Sequence, residues 1–110
     1  MKHVSYLEVE GKRIEEGGAH GVVIRTVIGE ADKAPNFHMR VISFEEGGAT
    51  PRHAHAWEHE VFILKGEGSL EVDDKTVELK PGDVVFVPPE SLHCFQSARG
   101  MEMLCMIPKP

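Results

Sequence analysis

No apolar run in this chain approaches the length of a membrane helix, and its first residues, Met1-Lys2-His3-Val4-Ser5, open no signal-peptide pattern. A cytoplasmic protein with no membrane partner is the expectation. Basic residues are in deficit, with 12 lysines and arginines against 18 aspartates and glutamates and a formal charge of −6. Nucleic acids and anionic membrane surfaces select for basic patches, so neither is expected as a partner. Only two cysteines are present. Cys94 and Cys105 share no short motif, and in a reducing compartment they read as free thiols. No segment sustains a 3.6-residue apolar period, so no long helix is expected. No linker and no internal repeat interrupts the 110 residues. They read as one domain, 1–110, long enough to bury a core.

What the chain does have is short, β-branched segments between glycine and proline turns. Residues 1–21 form an N-terminal arm, with Tyr6-Leu7-Glu8-Val9 as a possible strand and a glycine-rich connection over 15–21. Val22–Ile28 and Phe37–Phe44 read as strands on either side of a loop punctuated by Pro35, the second ended by Glu45-Glu46-Gly47-Gly48. Glu60–Lys65 is the next strand. Ser69–Val72 and Lys75–Leu79 alternate polar with apolar across Asp73-Asp74 and predict a hairpin. Lys80-Pro81-Gly82-Asp83 is a turn by composition. Val84–Val87 reads as a fully buried strand stopped by Pro88-Pro89. Leu92–Ser97 and Glu102–Ile107 follow across Ala98-Arg99-Gly100. About eight short strands predict an all-β sandwich or small barrel, with 37–107 as its core, and the mouth of a barrel is a natural pocket.

Three of the seven histidines fall between His53 and His59. On a strand, side chains two apart share a face, so His53 and His55 can converge, and a short turn through Trp57 can bring His59 to the same point. Imidazoles gathered on one face suit zinc, copper, iron or nickel. A lone His-x-His is also compatible with a polar strand face. His59, and His93 at the start of a later apolar strand where an unpaired imidazole is costly to bury, tip the reading toward a metal site.

The stretch Gly47, five residues, His53-Ala54-His55, ending at Gly66, and the stretch Gly82, five residues, Pro88, then His93, resemble the two motifs of the cupin superfamily. The resemblance, to a small single-domain cupin, covers nearly the whole chain and implies a double-stranded β-helix or jelly-roll barrel. In the family's motif six residues separate a glutamate from the closing glycine. Here that position is His59, and Glu60 fits only the longer of the two allowed counts from His55. The implied ligand set is His53, His55, His59 and His93, as in compact manganese-binding cupins. The implied cofactor is one divalent transition metal per chain, manganese first, with iron, copper, nickel and zinc as alternatives. Glu90 and Ser97 stand where the second motif has glycine and asparagine.

Around such a site Met103 and Cys105 share one face of the last strand, Leu104 and Met106 the other. The resemblance turns Cys105, and Met103 with it, toward the barrel interior; filling the core is the plainer role for all four. Trp57 is either a lid or a dimer contact. Arg40 can anchor a carboxylate, but an exposed strand end or a salt bridge is the plainer role. Glu58 and Glu60 are candidate acceptors for imidazole N–H groups, or else solvent-facing charges. Phe37, Met39, Phe44, Phe62, Phe86 and Phe95 read as core, with Phe37 kept as a candidate pocket wall. His3, His20 and His38 read as surface residues. The resemblance implies a homodimer in which the N-terminal strand, residues 4–9, packs on the partner's sheet. It also implies a metal-dependent oxygenase or related oxidoreductase acting on a small organic molecule. The alternative is a non-catalytic sensor or sugar-binding module; isomerase or decarboxylase chemistry would need a general base that does not stand out.

Overall fold

The structure is a computed structural model describing residues 1–110. Nine strands form one curled antiparallel sheet: β1 (Lys12–Ile14), β2 (His20–Ile28), β3 (Phe37–Ala49), β4 (His59–Gly66), β5 (Gly68–Val72), β6 (Lys75–Leu79), β7 (Val84–Val87), β8 (His93–Ser97) and β9 (Met101–Pro108). The order is β6-β5-β8-β3-β9-β4-β7, with β2 along β3 and β1 along β2. The expected all-β, single-domain barrel is what is observed. No helix is long and apolar enough to cross a membrane.

β3 organises the barrel. Its first part, Phe37–Phe44, pairs with β9, while Gly48-Ala49 pairs with β8. Gly47-Gly48 was expected to end the strand. Instead it bends it from one partner to the other, with Gly47 at φ +79°. At Gly48 a side chain would press against the Gly21 backbone and come within 3.0 Å of the Glu45 carbonyl. Only glycine lets the strand continue here. The bend delivers residues 50–53 to the start of β8, which is what brings His53 beside His93. Gly66 does similar work at the turn from β4 to β5, at φ +77° with the Gly100-Met101 backbone packed where a Cβ would stand.

Side chains alternate across the sheet, and register stacks them in layers inside it. Ile42, Met103 and Ile63 are cross-strand neighbours, as are Arg40, Cys105 and Val61 one layer nearer the histidines. Twelve buried residues form the core, Phe44, Leu70, Leu79, Val87 and Phe95 among them. Both cysteines are buried and free.

Four expectations are corrected. Tyr6–Glu8 is a 3-10 turn capped by Ser5, not a strand; Tyr6 donates to Glu102 at 2.8 Å and ties the arm to its own sheet. Val84–Val87 is not fully buried: it lies at one end of the sheet order, paired only with β4, and Val84 and Phe86 are 75% and 59% exposed. Alternation decides this, since one face of an edge strand can remain uncovered. For the same reason Phe37 and Phe62 are exposed on the outer face, leaving Phe44 and Phe95 as the buried phenylalanines. His38, expected at the surface, is buried.

Candidate metal centre

The inner end of the barrel gathers four imidazoles. His53 lies outside the named strands but makes an antiparallel bridge to His93, with each N–H donating to the other's carbonyl at 3.1 and 2.9 Å. Residues paired in this way project to the same face, and the two rings are centred 4.9 Å apart. The His55 ring lies 4.9 Å from those of His53 and His93, and the His59 ring lies 4.8 Å from His55 and 5.0 Å from His93. Ligand nitrogens of His53, His55 and His93 all fall within 4.8 Å of one another. His59 Nε2 approaches His55 Nε2 at 2.9 Å.

Hydrogen bonds to the ring backs orient these nitrogens. His55 Nδ1 lies 2.8 Å from the Trp57 carbonyl, and His93 Nδ1 lies 2.9 Å from the Ser91 carbonyl. A carbonyl only accepts, so each Nδ1 carries its hydrogen and each Nε2 is left with a free lone pair. His59 has no carbonyl behind it. Its Nδ1 faces Cys105 Sγ at 3.2 Å and Arg40 Nη2 at 3.4 Å. A hydrogen on Nδ1 directed at the sulfur frees Nε2; a hydrogen on Nε2 leaves Nδ1 to accept from Arg40.

Burial disfavours charge on three of the four rings. Burial, and then Arg40 and the other histidines, pushes the His59 pKa down to about 3. Burial also lowers His53, with His93 and His55 adding to it, and lowers His93 against an opposing pull from the Ser91 carbonyl. Burial raises the Cys105 thiol, and Arg40 acts in the opposite direction. Unprotonated imidazoles with convergent lone pairs, backed by main-chain acceptors, are the donor set that a divalent transition metal requires. The residues present fit such an ion.

The histidines line a cavity of about 290 Å3, together with Arg40, Trp57, Met103 and Cys105. Arg40 is therefore not at an exposed strand end, and it forms no salt bridge. Trp57 stacks on His55 at 4.1 Å with the rings 9° apart. Phe37 is not a wall of this cavity; with Glu58 and Glu60 it lines a groove on the outer face. Those two glutamates take no part in the ring hydrogen bonds, whose acceptors are main-chain carbonyls that no residue type announces. Glu60 is exposed, because β4 turns His59 inward and its neighbour outward. Sequence reasoning missed Ile14, Glu16 and Ile24, which wall the cavity from β1, β2 and the stretch between them. A wider polar cleft of about 550 Å3, lined by Glu67, Ser69, Glu78, Lys80, Gln96 and Arg99, contains no histidine.

The two substituted motif positions keep structural tasks. Glu90 takes the left-handed conformation, φ +69°, that glycine adopts readily, and donates its N–H to the His55 carbonyl at 2.7 Å. Ser97 is buried, donates to the Glu67 carbonyl at 2.6 Å and accepts from Gly100 N–H at 2.9 Å, which pins the turn before β9.

Comparison with known proteins places the fold in a family. The chain is 30% identical over 95 residues to acireductone dioxygenase of Bacillus cereus, covering 81% of this chain and 53% of that protein. An uncharacterized protein of Methanocaldococcus jannaschii is 31% identical over 62 residues, 54% of this chain and 50% of its own length. The chain thus spans about half the length of the curated relatives it matches. Among solved structures, the polyketide cyclase RemF of Streptomyces resistomycificus superposes with a TM-score of 0.93 at 31% identity, covering all of this chain and 80% of RemF. A predicted oxalate decarboxylase of Thermotoga maritima shares the fold, with a TM-score of 0.86 at 24% identity over 99% of this chain and 100% of that one. The family model for the cupin domain matches residues 40–107, and the chain belongs to the cupin family.

Proposed function

We propose that this chain is a metal-dependent oxygenase or related oxidoreductase acting on a small organic molecule, with His53, His55, His59 and His93 as the ligands of one divalent transition metal, manganese first. The observation that carries the reading is the convergence of four imidazoles on one cavity. A bound ion of this kind supplies Lewis-acid polarisation or electron exchange at the positions its protein ligands leave open. The chain's own residues would do the rest. Trp57 and the main-chain carbonyls of Trp57 and Ser91 hold the ring planes. Ile24, Ile42, Met103 and Phe95 exclude water from the reacting end of the cavity. The likeness to acireductone dioxygenase supports oxygen chemistry.

A second reading has its own support. RemF is a cyclase, and the likeness to it runs over the whole chain. Cyclisation would use the same ion as a Lewis acid, without O2. The test is oxygen uptake and product analysis with enolic and aromatic diol substrates on protein loaded with manganese, iron, nickel or zinc. O2 consumption abolished in His93→Ala supports the oxygenase. Metal-dependent turnover without O2 supports cyclase-type chemistry, and binding without turnover supports a sensor or sugar-binding module.

A further inference from the structure

Arg40 is a cation without a counter-ion. It stands on the inner face of β3, where its cross-strand neighbour is Cys105, and it lines the histidine cavity. Its hydrogen bonds run from one nitrogen, Nη2, to a sulfur at 3.1 Å and an imidazole nitrogen at 3.4 Å, while Nε is buried with no partner. The only carboxylate among the cavity residues is Glu16, on the exposed stretch between β1 and β2. Arginine does not shed its proton in proteins, and withdrawing a charge from water is costly unless an opposite charge meets it. A divalent cation at the histidines would add charge of the same sign. The cavity therefore carries fixed positive charge and lacks a negative one of its own beside it.

We infer that the cavity takes a small organic carboxylate, its anionic end paired with Arg40 and its apolar body held by Ile24, Ile42, Met103 and Phe95. The inference deepens the proposed function and rests on it for treating the bound molecule as a substrate. A planar carboxylate matches the guanidinium fork. A phosphate would need more donors than this cavity offers, since Thr50, its one hydroxyl, already donates to the Phe95 carbonyl at 3.4 Å and accepts from the Phe95 N–H at 2.9 Å. The walls would reject a ligand that is polar all round and accept one with a single charged end.

The probes are 3-phenylpropionate and its uncharged isostere 3-phenylpropanamide. Their affinities are measured by calorimetry on the full chain, metal-free and zinc-loaded, at about pH 8 where the imidazoles are neutral. The metal-free wild type is expected to bind the carboxylate about tenfold or more tightly than the amide. Arg40→Gln should erase that preference and Arg40→Lys keep part of it. Equal affinity for the two probes, or no binding of either, overturns the inference, and this comparison needs no variant to fold. A preference seen only with zinc and unchanged in Arg40→Gln also overturns it, by assigning the anion to the metal alone. An Arg40-dependent preference in a chain that binds no metal upholds the inference while the metal reading fails.

Discussion

β4 and β9 show two opposite faces of one sheet, and each departs from the rule that apolar side chains go inside. Inward, β4 presents His59, Val61 and Ile63, and β9 presents Met101, Met103 and Cys105, with Arg40 alongside on β3. Outward, β4 presents Phe62 and Leu64, β9 presents Leu104 and Met106, and edge strand β7 adds Val84 and Phe86. The inner face spends its buried positions near the cavity on imidazoles and a guanidinium, which are costly to desolvate. The outer face leaves large apolar side chains in solvent. Departures from local consistency tend to mark functional surfaces. The inner departure has a chemical use, because its polar groups converge on a cavity. The outer one gathers Phe62, Val84, Phe86, Leu104 and Met106 from three strands around one shallow groove that holds no histidine.

The largest expected difference is in metal content. His53→Ala, His55→Ala and His93→Ala should each lose the ion, whereas Phe86→Lys on the outer face should retain it. Stability separates the faces next. Ile63→Ala, at a fully buried site, should cost about 2–5 kcal/mol by chemical denaturation. Its outward neighbour Leu64→Ala should cost under about 1 kcal/mol; similar losses from the two would break the comparison. Cys105→Ala should weaken metal affinity about 10–100-fold in a chelator competition, because His59 loses the acceptor that frees its Nε2. Unchanged affinity would leave Cys105 as core filling.

Acid should act first on the inner face, because Asp32 and Glu45, whose carboxyls are held low by their hydrogen-bond partners, protonate only at lower pH. Below about pH 6.5 imidazoles in the unfolded chain protonate, while His59, at about 3, stays neutral in the folded one, with His53 and His93 also lowered. The unfolded state then binds more protons, so the metal-free protein should lose stability steadily as pH falls from 6.5 toward 3. His59→Gln should flatten the slope of Tm against pH. The smallest effect is expected at Glu90→Gly, which relieves a left-handed residue costing about 1–2 kcal/mol and adds back most of that as glycine entropy. A net gain of a few tenths of a kcal/mol is expected; a loss would mean that the Glu90 side chain has a role of its own.

Much of this was legible in the chain. The spacing from Gly47 to His55 located the first imidazoles; strand parity allowed only one of His59 and Glu60 inside, and the spacing to Gly66 favoured His59. Alternation put Met103 and Cys105 on one face of the last strand, and the cupin resemblance turned that face inward. What could not be read was non-local. Nothing in Ile14, Glu16 or Ile24 indicates that β1 and β2 wall a cavity whose histidines begin only at position 53. Val84–Val87 looks buried because it is apolar, and only its place at the end of the sheet order exposes it. Arg40 looked like a strand-end charge until its register opposite Cys105 put it inside.

Metal content per chain, measured by elemental mass spectrometry on untagged protein expressed with several metals supplied, tests the central claim most directly. The account predicts about one equivalent of a divalent transition metal, retained in Glu60→Ala and lost in His53→Ala, His55→Ala, His59→Ala and His93→Ala. Absence of metal under every supply, or metal lost in Glu60→Ala and kept in His59→Ala, would contradict it.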